Sequence, residues 1–307
     1  MKVVLIGRTK ALYDTASILN RNGHTILAII TSKEAPEYQI RAQDFEDLAS
    51  QLQCKFYRTV NIVELCKSIY ELGPDVAVSV NYAGLIPQKF IDIFEHGVLN
   101  AHGGDLPKYR GNACQAWAIL NGENRIGLCV HKMVGDELDS GEIILRKYLK
   151  ISGLTKISEV YDWMYQEIPG MFLDSLEKLE KSDTENFEIQ PIDPKQALRC
   201  FPRRPSDAQI SWSSSAIDIQ RLIHASGPPF DGAFFYFENQ KVYIYDCDII
   251  LDGPNILAVD GQIIDFIEDA LCVACGSNQK IKLRNMYVND HKIVPADFFR
   301  TIRNRLS

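Results

Sequence analysis

Nothing in the 307 residues approaches the roughly 18 consecutive apolar residues of a membrane-spanning helix. The opening Met1-Lys2-Val3-Val4-Leu5-Ile6-Gly7 has one charge and an apolar run too short for the core of a secretory signal, so a cytoplasmic protein off the membrane is expected. Basic residues are in deficit: 33 Lys and Arg stand against 40 Asp and Glu, a net charge of −7, which removes any overall attraction to nucleic acid or anionic lipid. The first strand runs into Gly7-Arg8-Thr9-Lys10, without the Gly-x-Gly-x-x-Gly that lets a backbone approach a dinucleotide pyrophosphate. Eight cysteines are scattered with no disulfide framework, and the single CxxC, Cys272-Val273-Ala274-Cys275, has no second pair or histidines to complete a zinc site. No metal is expected.

With 46% hydrophobic and 24% charged residues, the chain can bury a sizeable core, and its length suits two domains. A buried-strand pattern at residues 2–7, a helical period at 11–22 and a second strand at 25–31 make a βαβ opening. Further strands are expected at 55–60, 74–80, 98–102 and 127–133. Helices are expected at 45–52, 62–72, 87–94, 115–120 and 155–180, the last broken at Pro169-Gly170. The fold class is therefore α/β, with a Rossmann-like first domain over 1–182. A polar linker follows over 183–200. From 201 to 307 a helix at 216–225 and short alternating strands at 235–238, 241–247, 256–259, 262–266, 270–274 and 280–286 suggest a small β-barrel. The aromatic run Phe234, Phe235, Tyr236 and Phe237 offers a symmetric interface for a homodimer.

Residues 98–141 carry the chemistry. Side chains alternate along a strand, so Asn100 and His102 emerge on one face. If the next strand is a parallel neighbour, the acidic turn Gly135-Asp136-Glu137-Leu138-Asp139-Ser140-Gly141 brings Asp139 towards His102 in the crevice where open α/β sheets bind ligands. An amide donor, an imidazole and a carboxylate together form an acid/base and oxyanion-stabilising set. His131 has no such company and reads as an ordinary strand side chain.

Asn100-x-His102, the loop Leu106-Pro107-Lys108-Tyr109-Arg110-Gly111 and Leu138-Asp139-Ser140-Gly141 occur in an order and at separations that resemble the formyltransferase family using N10-formyltetrahydrofolate. The later β-rich part resembles the OB-like C-terminal domain of some members. The resemblance implies Asn100, His102 and Asp139 as catalytic residues. It further implies a folate pocket at Leu85, Ile86, Pro87, Asp136 and Leu138, where apolar walls and main-chain groups suit a flat heterocycle.

The acceptor separates the family's members. Residues 205–307 hold nine Lys and Arg against thirteen Asp and Glu, a poor surface for tRNA phosphates. The loop Lys33-Glu34-Ala35-Pro36-Glu37-Tyr38 also lacks the basic insertion of the tRNA enzymes. Lys108-Tyr109-Arg110-Gly111-Asn112-Ala113 is similar instead to the members that formylate nucleotide-linked amino sugars for surface glycans. On that reading Arg8, Lys10, Lys108, Tyr109, Arg110, Arg203 and Arg204 contact a small nucleotide-sugar substrate. Asp105, where Gly103-Gly104-Asp105-Leu106-Pro107 departs from the more usual Gly-Ser-Leu-Leu-Pro loop, is expected to attract the acceptor's ammonium. Methionyl-tRNA formyltransferase is the alternative, and a catalytically silent folate- or nucleotide-sugar-binding homologue is a second.

Overall fold

A computed structural model describes all residues except Glu37, Thr184, Glu185 and Ile192, so those parts of the polar loop and of the expected linker lie outside the described residues. The elements in chain order are β1 (Lys2–Gly7), α1 (Lys10–Arg21), β2 (Thr25–Thr31), α2 (Ala42–Gln51), β3 (Lys55–Arg58), α3 (Cys66–Tyr70), β4 (Val76–Val80), α4 (Gln88–Ile91), β5 (Val98–His102), β6 (Arg110–Gly111), α5 (Cys114–Leu120), β7 (Arg125–Lys132), β8 (Ile143–Lys150), α6 (Ile157–Glu180) and β9 (Arg199–Cys200). There follow α7 (Ala216–Ser226), β10 (Ala233–Phe237), β11 (Gln240–Ile249), β12 (Ile263–Ile267), β13 (Ala270–Cys275), β14 (Gln279–Val288), β15 (His291–Lys292) and α8 (Pro295–Phe299). The chain divides into two compact units. The first comprises residues 1–114, 126–149 and 161–200; the second comprises 115–125, 150–160 and 201–307.

In the first unit a seven-stranded sheet runs β3-β2-β1-β4-β5-β7-β8. The five strands from β3 to β5 are parallel. Every residue of β4 and all but the first of β1 are buried, which explains why both read as continuous apolar runs. Strand order reverses between β1 and β4, so the C-terminal ends of β1 and β4 border the switch-point crevice, with that of β5 next to β4. At that end Gly7 has φ +146, and a Cβ there would lie 2.0 Å from the Val80 carbonyl oxygen, so only glycine lets β1 finish beside β4.

Three expectations are corrected in this unit. Strand β7 pairs with β5 antiparallel, not parallel, setting Asn100 opposite His131 and His102 opposite Cys129. Helix α6 continues through Pro169 without a break. Burial of Ile168, Met171, Phe172 and Leu176 offsets a cost of about 3 kcal/mol for an interior proline, at roughly 1.5–3 kcal/mol per large apolar side chain. Two parts of the expected linker are bonded back to the unit: Glu188 exchanges two backbone hydrogen bonds with Ile143, and β9 pairs in parallel with β6.

The second unit has an antiparallel sheet in the order β10-β11-β14-β13-β12, with β15 on β14. Ile219 and Ile223 of α7 share its core with Trp212, Phe235, Ile244, Leu283 and Phe299. Strands β10 and β12 do not pair with each other among the described residues. The chain's last residues instead reach both edges: Tyr236 N–H donates to the Ser307 carbonyl (3.1 Å), Leu306 N–H to Gly261 (2.8 Å) and Ile263 N–H to Asn304 (3.2 Å). The strand expected at 256–259 is irregular chain; with Leu257 97% exposed, that segment has no packed face to hold it in a sheet. The aromatic run is no free interface, because Phe234, Phe235 and Phe237 are buried in their own unit and only Tyr236 is substantially exposed. Cys272 and Cys275 are buried on β13 at an odd separation, so they point to opposite faces.

Candidate active site

Alternation on β5 puts Asn100 and His102 on one face, and the antiparallel register adds His131 of β7 to it. His102 is buried, and its Nε2 lies 2.7 Å from the Tyr109 carbonyl oxygen. A carbonyl only accepts, so Nε2 carries the hydrogen and Nδ1 is the basic nitrogen. Nδ1 in turn lies 3.5 Å from Oδ2 of Asp139. Gly104 makes this arrangement possible, since a Cβ there would sit 2.6 Å from His102 Nε2 and 2.3 Å from the Tyr109 oxygen.

His131 is 1% exposed. Its Nδ1 donates to the Lys132 carbonyl (2.8 Å), leaving Nε2 to accept from the Asn100 amide nitrogen at 3.3 Å. The same Nε2 is 3.5 Å from Oδ1 of Asp139. Asn100, His131, Asp139 and His102 thus form one continuous chain of contacts. The sequence offered no sign of His131's part, because only the antiparallel pairing sets it opposite Asn100.

Asp139 takes φ +48, and its Oδ2 accepts from the Gly111 N–H of β6 at 2.8 Å. Burial works against its charge, but His102, then His131 and the Gly111 N–H, outweigh burial and hold the carboxyl well below its usual range. For His102 burial dominates and lowers the pKa, opposed by Asp139 and the Tyr109 carbonyl. The result is a neutral imidazole base beside a fixed carboxylate. Cys114 Sγ is 3.7 Å from His102 Nε2, but contact with Cys200 and burial push its pKa up, so it is a protonated neighbour and not a thiolate nucleophile.

The flanking segments 84–88 and 134–138 meet where Gly135 N–H donates to Gln88 Oε1 (2.8 Å). A Cβ on Gly135 would lie 2.4 Å from the Gln88 nitrogen. Leu85, 89% exposed, and the exposed Val134 and Leu138 leave apolar side chains in solvent on these segments, while Ile86 is buried and Pro87 caps α4. Asp136, at φ +62, is exposed on the same turn.

Several expected substrate contacts are engaged elsewhere. Asp105 accepts from Arg146 (2.6 Å) and from the Tyr148 hydroxyl (3.0 Å), so its carboxylate is already paired within the protein. Arg8 donates to the Asn81 and Lys33 carbonyls, both at 2.9 Å, and lies over the Tyr38 ring. Lys10 pairs with Asp14 along α1. Tyr109 is buried and contributes its carbonyl rather than its ring, Arg110 donates to Gln190 (2.7 Å), and Lys108 is exposed. Arg203 belongs to the second unit, where it donates to the Ala225 carbonyl and Ser226 hydroxyl at the end of α7; Arg204, beside it, is exposed.

Comparison with known proteins bears on both units. The family described as Formyl transferase matches residues 1–172, and Formyl transferase, C-terminal domain, matches 203–303. A methionyl-tRNA formyltransferase of Acetivibrio thermocellus is 28% identical over 283 residues, covering 90% of this chain and 88% of that one. Among solved structures, WlaRD, a sugar 3N-formyl transferase with dTDP and 5-N-formyl-THF, aligns over 95% of this chain and 98% of its own with a TM-score of 0.68 at 16% identity. An N-formyltransferase from Helicobacter canadensis, in complex with folinic acid and dTDP-3-aminofucose, aligns over 94% of this chain and 100% of its own, also at 0.68 and 16%.

Proposed function

Because the chain belongs to the formyl transferase family, we propose that it moves a formyl group from N10-formyltetrahydrofolate to the amine of a nucleotide-linked amino sugar, a dideoxy sugar of a bacterial surface glycan. The observation that carries the chemistry is the Asn100-His131-Asp139-His102 chain of contacts. The folate supplies an activated formyl carbon. Leu85, Val134 and Leu138, exposed on segments joined through Gln88 and Gly135, suit its flat heterocycle.

His102 takes a proton at Nδ1 as the acceptor amine attacks that carbon, and Asp139 stabilises the imidazolium. Asn100 donates an amide N–H to the formyl oxygen as it gains charge, a contact worth about 3–4 kcal/mol of barrier. His131 holds the Asn100 amide for that task. His102 then returns the proton to the departing folate nitrogen. One N–C bond forms, one breaks, and the proton passes between the two nitrogens.

The acidic balance of residues 205–307 and the whole-length similarity to two sugar-acting structures support the sugar acceptor. The C-terminal residues bonded to both sheet edges support reading the second unit as an OB-like barrel. A second reading, methionyl-tRNA as acceptor, draws on the 28% identity to the Acetivibrio enzyme. The test is incubation with N10-formyltetrahydrofolate and dTDP-, UDP- and GDP-linked amino sugars beside methionyl-tRNA, with products read by mass. A 28-dalton gain on a sugar nucleotide, lost in His102→Ala, is expected; formylation of the tRNA alone would transfer the proposal to the second reading.

A further inference from the structure

We infer that Gln190 is a positioning residue for Asp139, acting from the segment that leads out of the first unit. Its Nε2 donates to the Asp139 carbonyl at 2.8 Å and to the Gly141 carbonyl at 2.7 Å, and its Oε1 accepts from Arg110 Nη2 at 2.7 Å. The residue is 6% exposed. A primary amide provides two donors and an acceptor in one plane, and here all three face loops of the site.

The backbone that Gln190 grips does not hold its shape by regular pairing. Asp139 stands at positive φ, and Gly141 lies so close to β7 that a Cβ would be 2.0 Å from the Lys132 oxygen. Gln190 bonds the carbonyls on either side of Ser140, while Arg110, its other partner, precedes Gly111, whose N–H holds the Asp139 carboxylate. One side chain therefore ties the backbone of Asp139 to the strand that orients its carboxyl group. The neighbouring pairings of Glu188 with Ile143 and of β9 with β6 fix Gln190 from both sides.

The inference rests on Asn100, His102 and Asp139 being the reacting set, and the test separates the two. Gln190→Met removes all three bonds at similar length; Gln190→Glu returns an acceptor to Arg110 without the paired amide donors. Both are compared with Asp139→Asn. Turnover is read with N10-formyltetrahydrofolate on dTDP-3-aminofucose and, in parallel, methionyl-tRNA, and the His102 ring is titrated by NMR in the protein alone.

A misplaced Asp139 withdraws the charge that supports the imidazolium, against the fixed background of His131, Arg110 and the Tyr109 carbonyl. The His102 titration therefore moves to lower pH in Gln190→Met. In both variants kcat falls about 10²-fold, as for a displacement near 1 Å, with KM for the folate within twofold. A folded Gln190→Met protein with an unmoved His102 titration would overturn the inference, and so would recovery of wild-type kcat by Gln190→Glu, which would assign the role to Arg110. Unchanged turnover in Asp139→Asn would remove the reading of the reacting set, while the titration still decides whether Gln190 positions Asp139.

Discussion

At the scale of single residues, the site depends on which nitrogen carries which hydrogen. The Tyr109 carbonyl fixes one tautomer on His102, and the Lys132 carbonyl fixes the opposite one on His131. Replacing His131 with Phe keeps a ring but deletes the acceptor for Asn100. A fall in kcat of about tenfold is expected in steady-state assays, short of the 10²–10³ expected for Asn100→Ala. Burial lowers the His102 pKa, so the neutral base persists below its ordinary 6.5, and the acid limb of kcat/KM is expected below that pH. For stability, the unfolded chain protonates His102 first, so folding weakens as pH falls from 6.5 towards the lower native value. Asp139 behaves differently. Its contribution is complete above its ordinary 3.8 and is lost as the carboxylate is protonated, so denaturant midpoints of wild type and Asp139→Asn should converge in acid.

At the scale of elements, the second unit is held by its terminal residues as well as by its strands. Leu306 is buried, and its N–H bonds Gly261. Leu306→Ala should cost about 2–5 kcal/mol, measured by urea denaturation, because neighbours that include Trp212 and Phe299 leave a cavity instead of collapsing. Period and alternation made β1, β2, β4, β5, α1 and α7 legible, since each buries a face or both faces of a regular element. Three features escaped that reading for separate reasons. The direction of β7 depends on which neighbour it pairs with, and alternation is the same in either direction. The continuity of α6 depends on apolar packing that outweighs Pro169. The return of two parts of the expected linker to the first unit is made by backbone pairing and by Gln190, in a polar stretch with no apolar signature. The same limit applied at the site, where Asn100, His102 and Asp139 could be picked out as residue types, while His131 and Gln190 acquire a place only through long-range contacts.

For the molecule as a whole, charge bears on the proposed acceptor. The −7 net charge and the acidic surplus of residues 205–307 provide little counterion release against a polyanion. Turnover on a sugar nucleotide should therefore change less than threefold between about 50 and 200 mM salt, where an enzyme making six or more phosphate contacts would lose about 10³ in affinity. A steep salt slope in competition with bulk tRNA would count against the sugar acceptor.

Tyr109, Ala113, Asp136 and Asp139 all take left-handed backbone angles, with φ between +48 and +62, in the loops around the candidate site. Each such non-glycine residue costs of order 1 kcal/mol or more, which the surrounding bonds must hold in place. These loops are consequently the part of the enzyme with most to gain by letting go. On slow heating, turnover should disappear several degrees before the circular-dichroism signal of the sheet, and cooling from that interval should bring activity back in full, the signature of a site that relaxes while its scaffold stands.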